Sequence, residues 1–171
     1  ALTDTGRSDF PHAYDDLAST ALRFLRATGG AGALESFAGF RTGELEHRLR
    51  RAMAAPPEGG PHRADPADRT GDPASPDRLA AALTAEGYAA SANRTPNGVQ
   101  LCQHHCPVAH VAAEFGQLCE AETRMFERLL GTHVQRLATI AHGDGVCTTF
   151  VPDPKPGSAP RPQPAARPGG N

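Results

Sequence analysis

The chain has 171 residues, a formal net charge of -2 and four cysteines, and its basic residues are nearly all arginine. It contains no apolar run near the roughly 18 residues of a membrane span and no charged start followed by a hydrophobic region, so we expect a cytoplasmic protein with no membrane partner. No basic patch is dense enough to hold phosphates. In a reducing compartment, clustered cysteines bind metal or do redox work more often than they form disulfides.

Two amphipathic helices are predicted near the beginning of the chain, over residues 13–27 and 33–53, with Gly29-Gly30 ending the first. Their apolar stripes are wider than the pair can cover, and Phe24 is left on the flank of the first helix. Either a second copy of the chain or the C-terminal unit covers the remaining apolar surface, and the sequence favours neither.

Two stretches rich in proline divide the chain. Residues 55–76 are predicted to be a flexible linker, and residues 152–171, which include seven prolines, a disordered tail. They set apart residues 8–54, assigned to a helical dimerisation segment, from a compact unit at residues 77–151. The predicted fold class is α+β: a helical pair, then a small unit with about four antiparallel strands and a broken helix.

The compact unit begins with a capped helix. Ser75 is a good N-cap and Pro76 suits the first helical position, while Gly87 ends the helix. An Asn-Gly dipeptide then predicts a hairpin between strands at residues 88–94 and 98–103.

The second half of the unit is predicted to be a broken helix followed by another hairpin. Cys106-Pro107 opens the helix, Gly116 interrupts it, and Gly131 ends it. The turn of the last hairpin is predicted at residues 142–145, which are His-Gly-Asp-Gly.

Three cysteines follow the pattern C-x12-C-x27-C, a spacing typical of metal sites. They are Cys106, Cys119 and Cys147, predicted at a helix start, within a helix and at the start of a strand. Cys102 lies four residues before the first of them. Residues so separated in local structure bind one metal group only if the fold brings them together. The alternative is that Cys119 and Cys147 are small hydrophobic core residues.

The residues around these cysteines resemble the sensory half of the SufR iron-sulfur repressors of actinobacteria and cyanobacteria. The resemblance is carried by residues 101–115, 118–123 and 142–147, and it covers most of residues 75–151. In that family C-x12-C-x27-C is the cluster-binding signature. Gly116 departs from the pattern, which has proline there, and this difference affects only the helix break.

The resemblance implies a homodimeric repressor of the operon for iron-sulfur cluster assembly (suf), with a [4Fe-4S] cluster in each subunit. Carried over by position, the three ligands are Cys106, Cys119 and Cys147. The family binds promoter DNA through an N-terminal winged helix-turn-helix, of which only residues 1–7 resemble the end of the wing. This chain is therefore expected to be the effector part. A [2Fe-2S] cluster or zinc are the alternative cofactors.

A cubane cluster has four irons, so three cysteines leave one iron for another ligand. An exchangeable ligand there suits a sensor, because oxidant or nitric oxide would attack that iron first. Cluster loss under oxidative or nitrosative stress, or under iron limitation, would then release the DNA. A non-protein ligand or a residue of the partner subunit are options, and the candidates within the chain are Cys102, His104, His105, His110 and Asp144.

Two other functions fit parts of the pattern. The first is a structural zinc module of the Cys3His type, which uses the three cysteines and one of His104, His105 or His110. The second is a cysteine enzyme with Cys106 as nucleophile at a helix N-terminus. No orienting Asp or Asn stands at a recognisable spacing, so an enzyme is not predicted. The acidic residues of the broken helix are predicted on its solvated face: Glu114, Glu120 and Glu122.

Overall fold

The computed structural model describes residues 13–55, 72 and 74–153. The predicted α+β class is confirmed, with four helices and one four-stranded sheet in this part of the chain. In chain order the elements are α1 (Ala13–Ala54), α2 (Pro76–Ala85), β1 (Ala90–Thr95), β2 (Gly98–Gln103), α3 (Ala109–Glu114), α4 (Gln117–Leu130), β3 (Gln135–Ala138), a 3-10 turn (Ile140–His142) and β4 (Cys147–Pro152).

Several predicted segments fall outside the described residues. These are the wing remnant at residues 1–7, most of the linker at 55–76 and most of the tail at 152–171. Two of those boundaries need correction where they meet the described part. Ser75 and Pro76 belong to the cap and first turn of α2, and Pro152 is the last residue of β4. Proline is tolerated there because a strand end needs fewer ladder hydrogen bonds.

Helix α1 consists of two arms that meet at Gly30. This residue has φ 70° and ψ -169°, a conformation that residues with a side chain rarely adopt. The two predicted helices are therefore present, and the break between them is narrowed to a single glycine. None of the helices in the described part of the chain is long and apolar enough to cross a membrane.

The four strands form an antiparallel sheet in the order β1-β2-β4-β3. The predicted hairpin of β1 and β2 is present, but its two turn residues are Pro96 and Asn97, and Gly98 pairs with Thr95. A Cβ atom on Gly98 would lie 2.2 Å from the carbonyl oxygen of Val151 in β4. Glycine is thus required by the close approach of β4 and not, as predicted, by the turn.

The first residues of the compact unit are attached to the end of α1. The Ser75 side chain accepts a hydrogen bond from the backbone N–H of Arg78 at 3.3 Å, which is the predicted N-cap. The Arg78 guanidinium in turn donates to the carbonyl oxygens of Met53 and Ala55, at 2.6 and 2.7 Å. Helix α2 therefore starts beside the point where α1 ends.

Among the residues that the structure describes, the buried apolar side chains form two clusters. The first lies between the sheet, α2, α4 and the second arm of α1, and its largest members include Leu49, Leu79, Leu83, Leu101, Met125 and Phe126. The second joins both arms of α1 to α3 and the first half of α4, through Leu22, Leu34, Ala38, Val111, Ala112, Phe115, Leu118 and Ala121. At about 25 cal/mol per Å² of buried apolar surface, such clusters supply most of the folding free energy.

Candidate metal centre

Three separate elements carry the three spaced cysteines. Cys106 lies in the turn that precedes α3, where its carbonyl accepts a hydrogen bond from Ala109 at 3.2 Å. The predicted helix start at Cys106-Pro107 is therefore wrong by about one turn, since α3 begins at Ala109. Cys119 lies in the first turn of α4, just after the break at Gly116, and Cys147 is the first residue of β4.

The fold places these three thiols where the charge of one affects the pKa of another. Burial, and to a smaller extent negative charge on Glu122, Cys147 and Cys119, raises the pKa of Cys106 to about 11, against the lowering effect of a hydrogen bond from the backbone of Val108. The pKa of Cys119 is raised by burial first and by Cys147 among its neighbours. The cysteines that are 13 and 28 positions apart in the sequence are thus within range of one another's charge.

The 3-10 turn holds Cys147 in place. Its sulfur is buried and accepts a hydrogen bond from the backbone N–H of Ile140 at 3.2 Å. Burial raises the pKa of the Cys147 thiol, and this hydrogen bond and Arg136 oppose the increase. The neighbouring Ala141 packs against the second apolar cluster, as does Cys119. The turn therefore links the sulfur of β4 to the first turn of α4.

Cys102 points away from the other three cysteines. Alternate residues of a strand face opposite sides of a sheet, and the buried residues of β2 are on the side of Gln103, the strand partner of Cys147. Cys102 is on the other side, where the Asn93 amide donates to its sulfur at 3.7 Å. Its place on a strand explains why proximity in sequence to Cys106 does not become proximity in space.

The histidine candidates and Asp144 are spread around the unit. His104 shares a 3.1 Å hydrogen bond with Ser91, which faces the same side of the sheet as Cys102. His105 and His110 are exposed, the first just ahead of Cys106 and the second on α3. Asp144 accepts a hydrogen bond from the backbone of Thr139 at 2.8 Å and raises the pKa of Cys147. Asp144 is therefore a carboxylate near one of the thiols.

The sequence prediction missed a polar network beside the cysteines. Glu122, predicted on a solvated face, is only 14% exposed and forms an ion pair with Arg136 at 2.8 Å. The Arg136 guanidinium also donates to the side chain of Gln103 at 3.1 Å. Glu114 and Glu120 are exposed, as predicted. Each forms an ion pair, Glu114 with Arg23 of α1 at 2.6 Å and Glu120 with Arg124 at 3.8 Å. The low exposure of Glu122 was not predicted because it depends on the ion pair with Arg136, a residue of β3.

A cleft of about 420 Å³ opens beside this site. Its lining includes Cys119, Arg136, Thr139, His142 and Asp144. Solvent and small molecules thus have a route to at least one of the thiols.

The donor set fits an iron-sulfur cluster chemically. Thiolates are the ligands that cluster iron prefers, and each can bind a different iron, so the three sulfurs need not converge on one atom. Within residues 13–55, 72 and 74–153, no three Cys, His, Asp or Glu side chains are grouped closely enough to hold a single metal ion. Because burial raises all three thiol pKa values, binding must displace protons from these cysteines.

No protein-family model matches the chain, and no curated protein or solved structure matches it. The resemblance of its cysteine motifs to the SufR repressors therefore rests on the residues of this chain.

Proposed function

We propose that this chain is the iron-sulfur-sensing effector part of a transcriptional repressor that controls the genes for iron-sulfur cluster assembly. The observation that carries the proposal is the set of Cys106, Cys119 and Cys147, which have the C-x12-C-x27-C spacing and are electrostatic neighbours. These three residues would hold a [4Fe-4S] cluster. When bound, the cluster supplies a group that oxidants and nitric oxide can damage.

Binding by these residues would join three parts of the unit. Cys106 fixes the chain ahead of α3, Cys119 fixes the start of α4, and Cys147 fixes β4 next to the 3-10 turn. Metal binding that requires three elements at once favours the ordered arrangement of all three over looser ones. Loss of the cluster removes that constraint, and the repressor then releases its promoter DNA.

The proposal also includes a homodimer in the cytoplasm and promoter binding through an N-terminal winged-helix domain. An exposed apolar surface on α1 supports the dimer: Phe24 and Phe40 are 69% and 72% exposed. Phe37 and Arg41 border the grooves next to both of these residues, so the apolar surface extends along the two arms of the helix. Exposed apolar surface of this kind marks an interaction site.

Two observations favour this proposal over the alternatives. A Cys3His zinc module needs a histidine with the thiols, and His104 is held by Ser91 beside the opposite side of the sheet. A cysteine nucleophile needs a lowered thiol pKa, but burial raises the pKa of Cys106 to about 11.

The test is metal and sulfide analysis of protein purified without air. We expect brown protein that contains iron and acid-labile sulfide, with visible absorption that is lost when Cys106, Cys119 or Cys147 is changed to serine. Cys102→Ser is the matched control, because this cysteine faces the other side of the sheet, and it should keep the cluster. Colourless wild-type protein that contains stoichiometric zinc would contradict the proposal, as would cluster retention in all four variants.

A further inference from the structure

One turn after Cys119, helix α4 carries Glu122. Residues three positions apart lie on the same face of a helix, so this carboxylate and the Cys119 sulfur share a face. The side chain is only 14% exposed. Buried carboxylates are costly unless they are paired or bind a metal ion, so its position requires an explanation.

The ion pair with Arg136 explains part of this burial. The two oxygens of the carboxylate are nevertheless held unequally. Oε2 accepts a strong hydrogen bond from Arg136 at 2.8 Å. Oε1 accepts only a long one, 3.4 Å, from the amide of Gln103. Each carboxylate oxygen can accept two hydrogen bonds, so Oε1 keeps acceptor capacity that this network leaves unused.

Arg136 itself is fixed by several contacts. Its guanidinium donates to Thr123 at 3.3 Å as well as to Gln103, and it lies 5.5 Å from the centre of the Phe126 ring. A partly buried arginine held in this way places a permanent positive charge beside the carboxylate. That charge would offset part of the negative charge of a cluster bound by three thiolates.

Glu122 is also connected to Cys147, through Gln103 of β2. Gln103, which contacts the Oε1 of Glu122, is the strand partner of Cys147. Among the candidates predicted for the open iron, Asp144 is also a carboxylate, but it already accepts a hydrogen bond from the backbone of Thr139 at a turn.

We propose that Glu122 is the fourth protein ligand of the cluster, binding the iron that the cysteines leave open through the oxygen that Arg136 does not hold. The inference rests on the proposed function. An oxygen ligand is harder than a thiolate and binds cluster iron more weakly. The iron next to Glu122 is therefore the exchangeable one, and Arg136 and Gln103 act as positioning residues for the carboxylate.

The experiment is Mössbauer spectroscopy of anaerobic protein enriched in the active iron isotope. The wild-type spectrum should show one iron distinct from the other three. In Glu122→Cys this distinct component should be lost, because all four irons then have sulfur ligands. In Glu122→Gln it should be lost with that iron, leaving a three-iron cluster. The matched control is Glu120→Gln, since the Glu120 side chain is on the same helix and 68% exposed, and its spectrum should equal that of wild type.

Arg136→Gln separates a ligand from an ion-pair partner. It removes the same ion pair but keeps the carboxylate, so the distinct iron should persist. Equal loss of the cluster from Arg136→Gln and Glu122→Gln would show that Glu122 matters only as the partner of Arg136. A distinct iron that persists in Glu122→Gln overturns the inference and leaves the proposed function intact, whereas wild-type protein without a cluster overturns both.

Discussion

Gly98 shows how a single absent side chain determines the pairing of two strands. It is the first residue of β2, and its Cα is opposite Pro152 in β4. The β4 backbone passes so close that a Cβ atom would lie 2.2 Å from the Val151 carbonyl oxygen and 2.9 Å from the Phe150 ring. The backbone oxygen belongs to a paired strand, so neither it nor the ladder can move without loss of hydrogen bonds.

Changing Gly98 to alanine should therefore destabilise the protein by about 1–3 kcal/mol, the usual cost of forcing extra atoms into a packed site. Urea unfolding of the apo protein measures it. Gly43→Ala is the matched control, because a Cβ there meets nothing within 4 Å. This exposed glycine lies inside α1, so the control should stabilise by roughly 0.5–1 kcal/mol. Equal effects of the two substitutions would contradict the packing explanation.

At this scale the sequence shows the spacing of the three cysteines but not what surrounds them. The spacing of Cys106, Cys119 and Cys147 could be read directly. The side of the sheet that Cys102 faces could not, because it depends on a strand register that one residue would reverse. Burial of Glu122 depends on Arg136, which is 14 positions further on and reaches it only after β3 is in place.

Between the elements, Glu46 connects α1 to α4. Its carboxylate is bonded by Arg128 of α4 at 2.7 Å and by Arg50 of its own helix at 2.6 Å. Burial by itself would raise the pKa of Glu46, but the hydrogen bonds from the two arginines outweigh it and bring the pKa below its usual 4.5. The folded state thus favours the ionised carboxylate.

This shift predicts a pH-dependent contribution to stability. A carboxyl with a lowered folded-state pKa contributes fully above its unfolded value of about 4.5, and the contribution disappears as the pH falls through the lower, folded value. Glu46→Gln should cost about 1 kcal/mol at neutral pH. The difference from wild type should shrink towards zero well below pH 4.5, measured by urea unfolding across pH. Exposed Glu44→Gln should be nearly neutral throughout, and a pH-independent cost for Glu46→Gln would contradict the ion-pair explanation.

The elements themselves were largely predictable, because their signals are local. The Ser75 cap, the glycine at the kink of α1 and the break at Gly116 all act within one or two turns. The start of α3 was not predictable in this way, since Cys106-Pro107 forms a turn whose geometry depends on the end of β2. The 3-10 turn at Ile140–His142 was missed for a similar reason, because its start is fixed by hydrogen bonds to the side chains of Cys147 and Asp144.

At the scale of the molecule, the described residues form two apolar clusters and leave an apolar surface that neither cluster covers. The first cluster holds the sheet to α2 and α4, and the second holds both arms of α1 to α3. The exposed surface lies on the outer side of α1, around Phe24, Phe37 and Phe40. The C-terminal unit therefore covers part of the predicted stripes, and the rest is the surface where we propose that a second copy binds.

The proposed dimer predicts a change of mass when this surface is made polar. Phe24→Glu should convert a dimer to a monomer, because a charge in an apolar interface would be desolvated without a partner. Sedimentation equilibrium measures the mass directly. Leu137→Glu is the matched control, because Leu137 is an exposed apolar residue on β3, and it should leave the dimer intact. A monomeric wild type, or a dimeric Phe24→Glu variant, would contradict the proposed interface.

Helix α3 has only six residues, fewer than two turns. Helices shorter than about 12 residues are marginal without outside support, so α3 is ordered by what is attached to it. Its own side chains Val111 and Ala112 join the second cluster, and Glu114 at its end pairs with Arg23 of α1.

Two of the cysteines bracket this short helix, with Cys106 ahead of it and Cys119 beyond it. A group bound by both cysteines would close a loop of about a dozen residues around α3 and would make local unfolding of this helix less frequent. Loss of that group would weaken the contacts that α3 makes with the first arm of α1. Loss of a group bound by a few sulfur atoms would thereby loosen the packing of the long helix α1.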